Sequence, residues 1–299
     1  MTKEHSSEKE LETFSLKKQY VLNGAMFLLL LISIFFYGFY VLAMFGVSLL
    51  VALFFEWLFS KYRKKPLDKD LLTTPLLITL MMPLVTPFWH SLYVVGIATM
   101  FGVVFGKLMF GGTGKYIFHP AVVGVLFATV SFPIQMNSIW VDQPIRDFNF
   151  PLNDLLFGSM LGYIGETFRI AIIALGILLF AFKIIDWKVP VIFLLTVLAL
   201  TTLGSSLLNI SNQDPVTSLL FGSLLFGSVF LITDPHLLPK YEQSKVLFAI
   251  GLGLLTILIR FFGTFPEGII FAIILMNTIS PLIDHYVEEK MKKKIEVAS

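Results

Sequence analysis

The chain has 299 residues, 56% of them hydrophobic and 14% charged, with a mean hydropathy of +0.83 and a formal net charge of +2. So little polar surface cannot cover a soluble globule, and the composition describes an integral membrane protein. The absence of cysteine excludes disulfides, Cys-ligated iron–sulfur clusters and thioether-bound haem, while the basic residues sit in loops where membrane topology accounts for them, so no nucleic acid partner is expected.

Residues 1–19 are polar and mixed in charge, without the apolar core of a signal peptide, and are expected to be a retained cytoplasmic tail. Ten apolar segments follow, at 20–37, 39–59, 71–86, 89–106, 118–133, 168–184, 189–208, 215–232, 245–262 and 267–284. They have the length of helices rather than of alternating barrel strands, so each span satisfies its own backbone hydrogen bonds. Several fall short of the ~20 residues needed to cross about 30 Å of hydrocarbon and are expected to be broken or half-length helices. With the N-terminus in the cytoplasm, only Arg146, Arg169 and Arg260 of the 22 basic residues fall outside, which satisfies the positive-inside rule for ten crossings.

The chain also repeats itself. Pro87, an apolar span, Lys107, a glycine corner at Gly111-Gly112-Thr113-Gly114, then His119-Pro120 and a second apolar run recur as Asp234-Pro235, an apolar span, Arg260, a corner at Gly263-Thr264, then Pro266-Glu267-Gly268 and another run. Gly/Pro-interrupted segments in corresponding places of two halves point to a binding site where the halves meet. Five spans per half is an odd number, so the expected fold is all-α: about ten transmembrane helices in two inverted five-helix repeats. The expected division is a tail at 1–19, a first repeat at 20–133, an external loop at 134–166, a second repeat at 167–285 and a cytoplasmic basic tail at 286–299.

The corner has enough glycine to bend back and leave amides pointing into a cavity beside a helix N-terminus, a place that favours anions or electron-rich carbonyls. Its spacing is not that of a Walker loop, and a tight re-entrant turn needing small residues is the competing account. Intramembrane ionisable groups are candidates because each costs about 2.5 to 3.5 kcal/mol at a helix centre. Lys107 and Arg260 hold matching places and are expected either to pin the corners by donating to their carbonyls or to take part in chemistry. Glu56 is expected to be a partly hydrated partner of the cluster from Lys61 to Lys65, an ion ligand being the other reading. Asp234 and Asp284 could cap helices or face a cavity, and His119 could be a proton donor or a neutral hydrogen-bond partner. The five histidines are scattered, no metal-ligand cluster is apparent, and no hydrolase or kinase signature occurs.

Three stretches carry a resemblance. Phe105 to Lys115 with His119-Pro120-Ala121, Gly162-Tyr163-Ile164-Gly165-Glu166-Thr167, and the set Ile232-Thr233-Asp234-Pro235, Ile259-Arg260, Phe265-Pro266-Glu267-Gly268, Met276-Asn277-Thr278 and Pro281 to His285 resemble the NqrB/RnfD family. Its members are the NqrB membrane subunit of the sodium-translocating NADH:quinone oxidoreductase and the RnfD membrane subunit of the Rnf electron transport complex. The resemblance covers roughly 71–132 and 157–285. It implies a urea-transporter-like architecture in the bacterial cytoplasmic (inner) membrane, crossed many times with both termini cytoplasmic. It further implies a subunit of a translocase-type complex that moves electrons through flavins, in some members coupled to ion translocation. On this resemblance Gly111, Gly112, Thr113, Gly114, Tyr116, His119 and Pro120 would approach a non-covalent flavin, riboflavin or FMN, with quinone reacting near that side. The partners would be other membrane subunits, an external flavoprotein and membrane lipid.

The chain also departs from the family. Flavinylated members carry FMN on a threonine in a Ser/Thr-Gly-Ala-Thr sequence in the external loop, whereas here Trp140-Val141-Asp142-Gln143-Pro144-Ile145-Arg146 runs on to Asp147 without a threonine, so no covalent FMN is expected. The NqrB branch has asparagines at the places of Tyr116 and His119, although a phenol and an imidazole can also stack on or hydrogen-bond a flavin ring. Many members have glutamate where this chain has Leu108. A small-solute or ion channel or carrier on the same inverted-repeat fold is the alternative reading.

Overall fold

The structure, a computed structural model, describes residues 2–136, 151–158, 162–206, 208, 210, 214–263 and 268–298. The threonine-free stretch Trp140 to Asp147, most of the expected external loop, and Thr264 to Glu267 of the second corner lie outside the described residues.

Every described element is helical, and each of the ten apolar segments contains helix. In the first half these are α1 (Thr2–Tyr37), α2 (Tyr40–Arg63), α3 (Thr73–Leu80), α4 (Trp89–Phe101) and α5 (Pro120–Ser131), with a short α6 (Pro133–Met136) after them. A linking helix α7 (Leu152–Phe157) leads to α8 (Arg169–Ala181), α9 (Lys188–Ser206), α10 (Pro215–Leu220), α11 (Leu224–Phe230), α12 (Glu242–Phe262) and α13 (Gly268–Ala298). Among the described residues six helices are long and apolar enough to cross a membrane: α1, α2, α4 with its continuation to Leu108, α9, α12 and α13. The chain is a multi-pass membrane protein. The other four expected spans are the short ones, α3, α5, α8 and the interrupted pair α10–α11. The polar ends reach further into helix than their charge suggested, since α1 begins at Thr2 and α13 runs on to Ala298.

A helix that stops inside a bilayer leaves backbone carbonyls with no water to satisfy them, so each break needs a donor from elsewhere in the protein. The eight-residue α3 finds its donors in the segment that leads into α8: Ile164 N–H donates to the Met82 carbonyl at 3.0 Å and Gly165 N–H to the Leu80 carbonyl at 2.7 Å. Gly165 is required for this approach, because a Cβ there would lie 2.7 Å from Leu80 Cβ. The same segment is tied to α1, where Ser33 Oγ donates to the Ile164 carbonyl at 2.8 Å and Tyr37 Oη to the Gly162 carbonyl at 2.6 Å.

The break between α10 and α11 is served by two buried arginines. Arg260, near the end of α12, donates to the Ser218 carbonyl at 3.2 Å and the Phe221 carbonyl at 2.9 Å. Arg169 donates to the Leu220 carbonyl and, through Nη1, to the Leu155 carbonyl at 3.0 Å. Guanidinium suits this work because its planar fork reaches several carbonyls while staying charged. The α10 helix begins with Asp214, whose carboxylate accepts from Val216 N–H at 3.1 Å and Thr217 N–H at 3.0 Å, followed by Pro215 where no N–H is needed.

Contacts join several of the connecting segments, and Lys18, Tyr116, Lys183 and Lys240 line one cavity. Lys107 Nζ donates to the Asp70 carbonyl, Tyr116 donates to Asp234, and Lys240 N–H donates to Asp284.

Candidate functional site

The site begins with helix packing. Small residues let α4, its continuation and α5 approach until backbone meets backbone: a Cβ at Gly124 would lie 2.3 Å from the Ala98 carbonyl oxygen, and one at Gly106 would lie 2.7 Å from Pro120 Cα. Small residues at such crossings are how membrane helices gain van der Waals contact. Past Phe101 the helix widens into a π-type segment, Gly102–Leu108, closed by Met109 N–H on the Val104 carbonyl, a local change often found beside functional sites.

The chain then turns through Gly111, Gly112 and Gly114, with φ of +114°, +103° and +79°, values that side-chain-bearing residues rarely adopt. The corner's amides are largely occupied from within. Gly111 N–H donates to the Leu108 carbonyl, Gly112 N–H to that of Lys107, Lys115 N–H to that of Gly112, and Thr113 N–H to Asp68 Oδ2 at 2.7 Å. The open anion cradle expected from the glycines is therefore filled by a carboxylate of the same chain. For Asp68 burial pulls the pKa up, but the Lys107 charge and the Thr113 amide outweigh it and hold the carboxyl below its ordinary value.

Lys107 and Glu56 also differ from expectation. Glu56 is buried, and its Oε1 accepts from Lys107 Nζ at 2.7 Å rather than pairing with the cluster from Lys61 to Lys65. It faces inward because α2 packs against the widened π-type segment, which turns this side of the helix away from its exposed basic end. Lys107 also lies 3.5 Å from Asp68 Oδ2, so it fastens the loop before α3 rather than the carbonyls of its own corner. Arg260 likewise serves carbonyls of α10 and its break.

Two cavities adjoin the corner. Gly111, Gly112 and Thr113 border the smaller, about 400 Å³, together with Asp68 and Asp70. Tyr116 and His119 border the larger, about 920 Å³, which the two halves enclose together: Lys18, Leu22 and Leu77 come from the first, Phe180, Trp187 and Phe230 from the second. That volume lies in the range of small-molecule and cofactor sites, as does the mix of apolar walls with a few polar groups. His236 borders both. Gly114 packs against its ring, where an added Cβ would lie 3.2 Å from Cε1. Pro120 opens α5 at its first position and is buried against Gly102 and Gly106 of the π-type segment, outside the lining of both cavities. Of the expected set, Gly111, Gly112 and Thr113 border one cavity and Tyr116 and His119 the other, while Gly114 and Pro120 line neither.

Asp234 connects the halves across the larger cavity. Its Oδ1 accepts from His236 N–H at 2.9 Å, fixing the turn after α11, while Oδ2 accepts from Tyr116 Oη at 2.8 Å and lies 3.9 Å from His119 Nε2. For Tyr116 burial and then the neighbouring Asp234 charge push the phenol pKa up, so it remains a proton-bearing donor. Sequence reading marked Asp234 as a cap or cavity residue, and it is both. It missed Phe180, Trp187 and Phe230, whose only signal was their position in or beside apolar spans. Among the described residues no group of three or more His, Cys, Asp or Glu is arranged to hold a metal ion.

Comparison with known proteins agrees with this architecture. A family model described as the NQR2, RnfD, RnfE family matches residues 10–293. The NqrB-type subunit of the Na(+)-translocating NADH-quinone reductase of Stutzerimonas stutzeri (strain A1501) is 31% identical over 282 residues, covering 86% of this chain and 69% of that one. The RnfD-type subunit of an ion-translocating oxidoreductase complex of Marinobacter nauticus (strain ATCC 700491 / DSM 11845 / VT8) is 30% identical over 283 residues, 79% of each chain. Its counterpart in the proton-translocating ferredoxin:NAD(+) oxidoreductase complex of Clostridium ljungdahlii (strain ATCC 55383 / DSM 13528 / PETC) is 29% identical over 285 residues, with 86% and 85% covered. With nearly its whole length matched, this multi-pass chain belongs to the NQR2, RnfD, RnfE family.

Proposed function

We propose that the protein is a membrane subunit of an electron-transport complex of the Nqr/Rnf type, and that it holds a non-covalent flavin or a quinone in the cavity between its halves. The observation that carries this reading is the 920 Å³ cavity itself, apolar and aromatic on its walls, with Tyr116, His119 and Asp234 converging on it from both halves. A ring with carbonyls and ring nitrogens suits such a mixture, because aromatic walls stack on its face while a few polar groups fix its edge. The cofactor would supply the electron chemistry, and this chain the position, the dry surroundings and the hydrogen bonds. The glycine corner would shape the wall next to Tyr116 rather than grip the ligand through its amides.

In this reading residues 20–133 and 167–285 form inverted repeats. Alternate connecting segments would gather at one end of the bundle, and the third element is short or broken in each half. That end, both termini and the cavity mouth would face the cytoplasm of a bacterial inner membrane, a reading the clustered lysines support. The loop at 134–166 would meet an external flavoprotein, and the lipid-facing helices would meet other membrane subunits.

The test is the visible spectrum of the purified protein before and after acid precipitation. Flavin released to the supernatant, or saturable binding of added riboflavin, FMN or short-chain quinone lost in Leu77→Trp or Phe230→Trp variants that fill the cavity, is expected. Colourless protein that binds none of the three, yet passes solute when reconstituted in liposomes, would overturn the reading in favour of a channel.

A further inference from the structure

The large cavity has two carboxylates on its wall, and they are in different situations. Asp186 is neutralised by Lys245 Nζ at 3.0 Å. Asp234 has no lysine or arginine ion pair among the described residues; its partners are the neutral Tyr116 hydroxyl, the His236 backbone amide and, at 3.9 Å, the His119 imidazole. Its Oδ2 is thereby in direct hydrogen-bond contact with a hydroxyl that borders the same cavity, the geometry a proton relay requires. His119 is buried, and its Nδ1 has no hydrogen-bond partner. Leaving such an atom unpaired costs free energy, which suits an imidazole whose partner arrives with a ligand or a proton.

We propose that the Tyr116–Asp234 pair, with His119 behind it, is the route by which protons reach a ring reduced in this cavity; the proposal rests on the reading of the cavity as a flavin or quinone site. Proton uptake by Asp234 would release the Tyr116 hydroxyl, which otherwise donates to that carboxylate, and when a reduced flavin of the same complex supplied an electron pair to the ring, the Tyr116 proton would pass to the ring oxygen or nitrogen that gains the charge. Asp234, protonated from solvent past His236 at the junction of the two cavities, returns a proton to the Tyr116 oxygen. A second proton follows the same way, so two electrons and two protons enter together and two new O–H or N–H bonds form. Tyr116 would be the catalytic residue, touching the ring, and His119 a positioning residue packed beside the Asp234 carboxylate.

Charges of both signs surround this pair. Asp68 and Asp70 face Tyr116 from the loop before α3, and His236 meets the Tyr116 ring edge-on at a centroid distance of 5.8 Å. Across the cavity stand Lys18, Lys183, Lys240 and the Asp186–Lys245 pair.

The experiment uses the full chain in detergent, with riboflavin as the probe. Binding is followed by quenching of flavin fluorescence, and proton uptake on photoreduction by a pH-indicating dye across the neutral range. General acid–base groups contribute about 10² to 10⁴ in rate, so Tyr116→Phe and Asp234→Asn, each measured at riboflavin concentrations that saturate the variant, should slow proton uptake by at least about 10²-fold and flatten its pH profile. Tyr116→Phe removes only a hydroxyl and carries the test should Asp234→Asn fail to assemble. Unchanged uptake and pH profile in variants that still bind riboflavin would overturn the relay alone. Failure of the wild type to bind riboflavin, FMN or a short-chain quinone would overturn the cavity reading and the relay with it.

Discussion

Lys107 Nζ lies 2.7 Å from Glu56 Oε1 with the two side chains 3% and 4% exposed, so the α2 carboxylate and the cation at the end of the π-type segment form a buried pair. Breaking such a pair strands a charge, which costs about 3 to 5 kcal/mol, whereas replacing both partners by well-packed apolar groups is often neutral. Glu56→Leu and Lys107→Met are each expected to lower the melting temperature in detergent strongly. The double variant should recover most of the loss, since Asp68, the remaining carboxylate near Lys107, is partly exposed and can be hydrated. A double-mutant cycle read by thermal melting checks this, and simple additivity would count against it.

Arg260 makes a different prediction, because its partners are backbone carbonyls that no substitution removes. Arg260→Met leaves the Ser218 and Phe221 carbonyls without these donors, and each buried unsatisfied group costs about 1 to 3 kcal/mol. Arg260→Lys should recover part of the stability and not all of it, because an ammonium lacks the fork that spans both oxygens. Thermal melts of the three proteins should rank wild type above lysine above methionine.

How far these relationships could be read from residue order depends on their range. Periodicity and hydropathy marked all ten helical segments, and the shortfall in length of α3, α5 and α8 marked them as partial spans, because the bilayer imposes a minimum length. The matching places of Lys107 and Arg260 were also visible. Their partners were not: Lys107 is 51 residues from Glu56, and Arg260 is 39 from Phe221. Such contacts are set by helix rotation and crossing, which local pattern does not encode. Glu56 was assigned to the nearby Lys61–Lys65 cluster because sequence proximity favours that pairing, while the burial of one face of α2 decides otherwise. The glycine density announced a sharp corner, but nothing local revealed that Asp68 would occupy its amide.

Asp68 carries the pH prediction. Its folded pKa lies below the ordinary carboxylate value of 3.8, through Lys107 and the Thr113 amide acting against burial. A group with a lowered folded pKa contributes stability that is complete above its unfolded pKa and is lost as pH falls through the folded one. The wild type should therefore lose melting temperature as pH drops below about 4, and Asp68→Asn should show a shallower acid slope from a lower starting point. Equal slopes would mean that other carboxylates govern acid unfolding.

The crossing of α4 and α5 sets where His119 and Tyr116 can stand, so it should couple stability to the cavity. A Cβ at Gly124 would sit 2.3 Å from the Ala98 carbonyl oxygen and 3.1 Å from its carbon, both backbone atoms that cannot rotate aside. Gly124→Ala must therefore push the helices apart, and overpacking of this kind costs about 1 to 3 kcal/mol. Gly46→Ala, on α2 with nothing within 4 Å of the added carbon, is the matched control and should be close to neutral or slightly stabilising. Because α5 begins at Pro120, directly after His119, the Gly124 variant should also weaken riboflavin binding while the Gly46 variant leaves it unchanged. Fluorescence titration beside thermal melting separates the two effects: a stability loss in Gly124→Ala with wild-type affinity would show that the crossing holds the helices together without setting the cavity wall.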